Sequence, residues 1–328
     1  MTFTDLPDLA SRVLGGGVVD ANDEFFAARD NLVNPEPSQF ETWTYGPKGK
    51  VYDGWETRRR RTPGHDWAVV RLGAPGVIRG VVVDTAHFTG NYPPFVSVEG
   101  CAVDGHPSPA DLAAADWVEL VARSAVQGDA HNPFEVTHPD RVTHVRLNIY
   151  PDGGVARLRV HGSVVPNPDF LYGLTVDLAA AELGAVVAGC SDMFYGSPGN
   201  LLLPDRARQM SEGWETARRR REGNEWVLVR LAVPGAVRLA EIDTTHFKGN
   251  APGAASLRAT ADPDDDSAWF DLLPRTGLQP DTRHRYRLDS TREATHVRLD
   301  IYPDGGVARL RLYGEATPHG EAAPGTRG

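Results

Sequence analysis

Thr143-His144-Val145-Arg146-Leu147-Asn148-Ile149-Tyr150-Pro151-Asp152-Gly153-Gly154-Val155-Ala156-Arg157-Leu158-Arg159-Val160-His161-Gly162 is the stretch that decides the fold. Val145, Leu147 and Ile149 share one face, and His144, Arg146 and Asn148 share the other. A period of two is that of a β-strand. Pro151-Asp152-Gly153-Gly154 reads as a turn, because Asp-Gly supplies the positive φ values of a tight hairpin. Beyond it Ala156, Leu158 and Val160 point one way, and Arg157, Arg159 and His161 the other. The stretch returns at residues 295–314, an offset of 295 − 143 = 152, with 17 of 20 residues identical.

Working outward, the whole chain is written twice. Residues 54–93 match residues 213–252 without a gap, at an offset of 213 − 54 = 159 and with 22 identities in 40 positions. A weaker block opens each half: Asp8-Leu9-Ala10 matches Asp177-Leu178-Ala179, and Asn31-Leu32 matches Asn200-Leu201, at offset 169. The falling offsets give the first half ten extra residues between about 35 and 54, and seven extra between 93 and 143. Length changes fall in loops. The first insertion, around Trp43-Thr44-Tyr45-Gly46-Pro47-Lys48-Gly49, has loop composition and two aromatics that could shape a site in one half only. A period near 160 is a duplicated domain rather than a solenoid. The expected division is 1–165, 166–315 and a disordered Gly/Ala/Pro-rich tail at 316–328, with Pro166, Asn167 and Pro168 as linker.

Strand signals dominate each half. Residues 67–72 read as one short strand stopped at Gly73 and Pro75, and residues 77–83, apolar on both parities, as another. Helix signal is thin: residues 6–14 and 178–183 each read as a short helix. The expectation is all-β, a tandem of two jelly-roll β-sandwiches of the galactose-binding or discoidin-like type.

Composition bounds the function. Of 328 residues, 41% are hydrophobic and 24% charged, as in an ordinary globular protein. No apolar run approaches the ~18 residues of a membrane helix, and the polar start lacks the pattern of a signal sequence. Two cysteines, Cys101 and Cys190, are too few for a disulfide framework, so the expected compartment is the cytoplasm. A formal net charge of −10 excludes a typical nucleic-acid binder. Positive charge is nearly all arginine, lysine being confined to Lys48, Lys50 and Lys248.

Three motifs recur in order in each half. They are Asp53-Gly54-Trp55-Glu56-Thr57 with Arg58 to Arg61, Asp84-Thr85-Ala86-His87-Phe88-Thr89-Gly90-Asn91, and Ile149-Tyr150-Pro151-Asp152-Gly153-Gly154. Together, and duplicated, they make the chain resemble the allantoicase (allantoate amidinohydrolase) family over nearly its whole length. The resemblance implies hydrolysis of allantoate to ureidoglycolate and urea in purine and allantoin degradation, on a tandem of jelly rolls.

The site is argued from the chemistry of that reaction. Allantoate carries a carboxylate, which a planar arginine clamps well. Its departing urea needs a proton, and water attack needs a base. His87 or His246 is the candidate acid/base, with Glu56 or Glu215 as carboxylate partner. Arg59, Arg60, Arg218 and Arg219 are candidate clamps, and Asn91, Asn250, Asp152 and Asp304 candidate ureido contacts. Each has a plainer reading. His87 has the parity of Val81 and Val83, so it also fits a core-edge histidine. Arginine runs are more often solvated or salt-bridged, and residues 58 and 60 face opposite to 59 and 61. Trp55 and Trp214 read as packing residues, and the Asp-Gly-Gly turn as structural first. No histidine spacing marks a metal site, so ligands stay unassigned, although a divalent ion such as Mn²⁺ is compatible. Each half could hold a site, or the two could share one. The competing functions are a non-catalytic tandem module for small carbohydrate-type ligands and an assembly scaffold. Exposed sheet edges and arginine-rich faces point to a homo-oligomer in either case.

Overall fold

The computed structural model describes residues 2–317, apart from positions 41, 42, 44, 48 and 51. The described residues form two compact units, divided between Val165 and Pro166. In the first, a 19-residue strand, Asp66–Asp84, is the axis. Its opening part pairs with Gly17–Ala21 on one side and Val142–Tyr150 on the other. Val142–Tyr150 continues to Phe95–Cys101, which pairs with Val118–Ala125. The closing part of the long strand pairs instead with His131–Glu135 and Arg157–Val164. All these pairings are antiparallel, and one strand thereby joins a five-stranded layer to a three-stranded one. The second unit repeats the plan around Glu225–Asp243. Each unit is a jelly-roll β-sandwich.

The two short strands expected at 67–72 and 77–83 are therefore one. Gly73-Ala74-Pro75-Gly76 is a change of partner rather than a stop: pairing with Val142–Tyr150 breaks between Arg71 and Gly76, where Arg157–Val164 takes over. Pro75, lacking an N–H, sits where the ladder is already interrupted. The expected helices are also corrected. Residues 6–14 hold only a turn of 3₁₀ helix at Arg12–Leu14, and 178–183 another at Ala181–Leu183. Gly15 and Gly184 close these turns in the left-handed conformation. At the chain end, Ala316, read as the first tail residue, pairs with Gly235 in the final strand and is buried. Residues 318–328 lie outside the described residues.

The alternation at 145–160 is realised. Val145, Leu147, Ile149, Leu158 and Val160 are fully buried between the layers with Val70, Val81, Val83 and Val98. Each such side chain contributes about 1.5–3 kcal/mol. The opposite face is less open than a solvated face would be: His144, Asn148 and Arg157 are buried too, beneath loops and neighbouring side chains. Burial, with the charge of Arg71, holds the His144 pKa down to about 4. No helix among the described residues is long and apolar enough to cross a membrane.

The glycine turn has two separate reasons for its composition. Gly153 has φ 144° and Gly305 φ 130°, which side chains resist. Gly154 and Gly306 are needed for space: a Cβ there would lie 2.0 Å from Phe88 Cε1 and 1.9 Å from Phe247 Cε1, respectively. Gly154→Ala is expected to destabilise by about 1–3 kcal/mol, read by chemical denaturation. Gly90→Ala, with open space around its Cβ, should be near neutral. Equal effects of the two substitutions would refute the packing account.

Candidate active site

The three motifs of the first half converge because each ends at the same rim. Trp55–Glu56 is a two-residue strand paired with Gly154–Val155. Alternation sends the two side chains to opposite sides. Trp55 is fully buried, and its Nε1 donates to the Asp23 carbonyl at 2.8 Å. Glu56 faces a pocket of about 330 Å³. Thr57, Arg59, Asn91, Tyr92 and Asp152 line the same pocket.

Glu56 is 9% exposed and forms no ion pair with any of the described residues. Asn91 Nδ2 donates to its Oε1 at 2.7 Å. Burial raises the Glu56 carboxyl above its ordinary value, and the Asn91 hydrogen bond offsets only part of that. Asn91 is fixed in turn, since its carbonyl accepts the Gly154 N–H at 2.7 Å. Asp152 Oδ2 accepts the backbone N–H of Arg60 at 2.7 Å, so it holds the arginine run in place.

The arginines divide by parity. Arg58 Nε pairs with Asp23 at 2.8 Å and Arg60 Nη1 with Asp66 at 2.6 Å. Arg60 borders a second cavity, not this pocket, which corrects its expected role as clamp. Arg59 lines the Glu56 pocket and has no ion-pair partner among the described residues. Its guanidinium is exposed at the wall of a small polar pocket, a placement compatible with a bidentate contact to an anion.

The histidines sit apart from the glutamates. The His87 ring Nε2 donates to the Ser38 carbonyl at 3.1 Å, and the ring stacks on Phe40 with centroids 5.4 Å apart. His87 has φ 70°, a left-handed conformation held by its N–H donating to Asp129 Oδ1 at 2.8 Å. The charged neighbour it influences is Asp53. Burial opposes the Asp53 charge, but the Arg157 hydrogen bond, the Gln39 N–H and the charges of Arg157 and His87 more than offset it, holding the carboxyl below its usual range. The expected His87–Glu56 pair is therefore not formed, because His87 turns toward the loop at Ser38.

The second unit repeats the arrangement. Asn250 Nδ2 donates to Glu215 Oε1 at 2.5 Å, Asp304 Oδ2 accepts the Arg219 N–H at 2.7 Å, and His246 Nε2 donates to the Ala207 carbonyl at 2.9 Å. Arg219 is bound to Glu225 at 2.5 Å, while Arg218 has no ion-pair partner among the described residues. The surroundings differ. Tyr92 and Pro94, which wall the first pocket, correspond at offset 159 to Ala251 and Gly253. Asn250 Nδ2 also meets Met210 Sδ at 3.3 Å.

Sequence reasoning missed Phe26, Thr57, Tyr92, Pro94 and Gly153 as lining residues. Thr57 and Gly153 were visible inside the repeated motifs, and Phe26 aligns with Tyr195 at offset 169. No group of three or more side chains suited to hold a metal ion occurs among the described residues.

In each jelly roll a glutamate meets an asparagine amide at the equivalent turn, and the glutamate is buried in the first unit only. Comparison with known proteins narrows the class. The allantoicase repeat family model matches residues 7–165 and 176–317. A probable allantoicase of Nocardia farcinica is 60% identical over 316 residues, covering 95% of each chain. One from Streptomyces avermitilis is 51% identical, covering 98% of this chain and 88% of its own. The crystal structure of allantoicase from Saccharomyces cerevisiae superposes with a TM-score of 0.77 at 35% identity, covering 94% of this chain and 93% of its own. The chain belongs to the allantoicase family.

Proposed function

We propose that this chain hydrolyses allantoate to ureidoglycolate and urea, in the degradation of allantoin and purines, and that the Glu56 pocket of the first unit carries the turnover. The observation that carries the reading is Arg59, without an ion-pair partner among the described residues, in the same pocket as the Glu56–Asn91 pair. Arg59 binds the substrate carboxylate. Asn91 holds Glu56 Oε1, which leaves Oε2 to face the substrate. Protonated Glu56 gives its proton to the nitrogen of the departing urea as the central C–N bond breaks. The lone pair of the remaining ureido nitrogen stabilises the cationic carbon. Water then adds to that carbon and returns a proton to Glu56, which completes the balance. A carboxyl raised by burial suits this double duty.

His87 and His246 act in this reading as positioning residues, since the same ring nitrogen is engaged by a loop carbonyl in both units. Asp152 positions Arg59 through its neighbour Arg60. A cytoplasmic location and self-association accompany the reading, the former supported by two unpaired cysteines.

The arginine assignment is tested by steady-state kinetics with allantoate. Arg59→Met is expected to raise KM by about 10–100-fold, the loss of a charge-assisted clamp. Arg60→Met should chiefly lower stability, because it strands the buried Asp66. If Arg59→Met kept the wild-type KM, the clamp would have to lie elsewhere.

A further inference from the structure

The larger cavity of the first unit, about 520 Å³, takes no part in the reaction above. It lies on the outer face of the five-stranded layer, against Trp67, Glu99, Glu119, Arg146 and Asn148. The second unit shows how the same surface looks when the chain fills it from within. There the Arg298 guanidinium lies over the Trp226 ring at 4.7 Å. Its Nη2 donates to Asp300 Oδ1 at 2.9 Å, and Asn224 Nδ2 donates to the same oxygen at 2.7 Å. Arg258 and Asp271, directly opposite across two strands, form an ion pair at 3.6 Å.

At the equivalent positions the first unit leaves acceptors open. Arg146, the counterpart of Arg298, turns instead to the Trp117 ring at 4.5 Å and donates to Glu99 at 2.8 Å. No cation covers Trp67 among the described residues. Asn148 stands where the second unit has Asp300 and is 3% exposed. Its Nδ2 donates to Ser97 and Glu99, and its Oδ1 accepts nothing from the described residues. Glu99 and Glu119 stand directly opposite one another, where the second unit has Arg258 and Asp271. Like charges in that register are unfavourable. Arg146 matches Glu99 and Asp66 matches Arg60, and among the described residues Glu119 is the carboxylate at the cavity without an ion-pair partner.

We propose that this cavity binds a small guanidinium-bearing molecule, seated on Trp67 as Arg298 is seated on Trp226, with Glu119 and Asn148 Oδ1 as its acceptors. A planar cation rich in N–H donors meets all three demands: stacking, charge and hydrogen bonding. A urea lacks the charge, and an ammonium lacks the plane.

The test titrates the full chain with propylguanidinium, propylurea and butylammonium, followed by calorimetry and tryptophan fluorescence. Propylguanidinium is expected to bind saturably, with the other two at least about tenfold weaker. Glu119→Gln, at an exposed position that leaves the fold intact, should weaken propylguanidinium about tenfold. Glu99→Arg combined with Glu119→Asp imports the second unit's own ion pair and should abolish binding. Urea release from allantoate should be unchanged in both variants, which separates this site from the Glu56 pocket. Absence of saturable binding to the wild type, unaltered binding by the variants, or preference for butylammonium would each overturn the proposal.

Discussion

Glu56→Gln is expected to lower urea release from allantoate by about 10²–10⁴-fold, the usual range for removal of a general acid or base. The protein should remain folded and, at neutral pH, be no less stable than the wild type. The sign follows from the carboxyl itself. Burial raises its pKa in the folded state above the ordinary 4.5. Such a group favours folding below its unfolded pKa, and that contribution is lost as pH rises through the folded pKa. Glutamine carries the hydrogen bond without the charge, so the variant should gain on the wild type as pH climbs out of the acid range. Glu215→Gln should leave most of the activity, since Ala251 and Gly253 do not supply the wall that Tyr92 and Pro94 build around Glu56. Equal losses in the two variants would show that both units turn over substrate. Denaturation curves and urea release on the same preparations separate these outcomes.

Arg157→Met is expected to cost about 2–4 kcal/mol, the loss of several hydrogen bonds from a buried charged group to acceptors of which the Asp53 carboxylate is partly exposed. The Arg157 side chain is 2% exposed and fully employed. Its Nε donates to the Glu36 carbonyl at 3.0 Å, Nη1 to the carbonyls of Asp53 at 3.0 Å and Ala156 at 2.8 Å, and Nη2 to Asp53 Oδ2 at 2.7 Å. Methionine fills similar space but strands those oxygens. Against a typical total of about 5–15 kcal/mol the loss is large. Arg309→Met should act alike in the second unit, where Arg309 binds Asp205 at 2.6 Å and the Glu212 carbonyl at 2.7 Å. Because Arg157 holds Asp53, three residues before Glu56, the first variant should also lose activity, while the second should lose stability alone. Wild-type denaturation midpoints in either variant would contradict the account.

Local pattern carried much of the fold. The alternation over residues 143–162 was legible because one period governs both strands, and its repetition at 295–314 made the duplication unmistakable. The turn between them, read as a tight hairpin, instead carries the chain from the five-stranded layer to the three-stranded one, because Val142–Tyr150 and Arg157–Val164 pair with different parts of Asp66–Asp84 and not with each other. What misled was punctuation: Gly73 and Pro75 signal a stop, yet nonlocal partners on both sides keep the strand running from Asp66 to Asp84. At the site, Glu56, Arg59, Asn91 and Asp152 do meet, and the parity of the arginine run was readable. Which parity faces the pocket was not readable from the run alone. A signal existed six residues after Arg60 and Arg219, where Asp66 and Glu225 supply an acid in both copies and bind those arginines. The partner of His87 was hidden because Ser38 lies 49 residues upstream and offers a backbone carbonyl, which leaves no mark in a sequence.

The most direct test of the central claim is urea release from allantoate by the purified full chain. The account predicts saturable formation of urea with an equal amount of ureidoglycolate, lost in Glu56→Gln. Allantoate that binds but yields no urea, or turnover that survives Glu56→Gln intact, would contradict it.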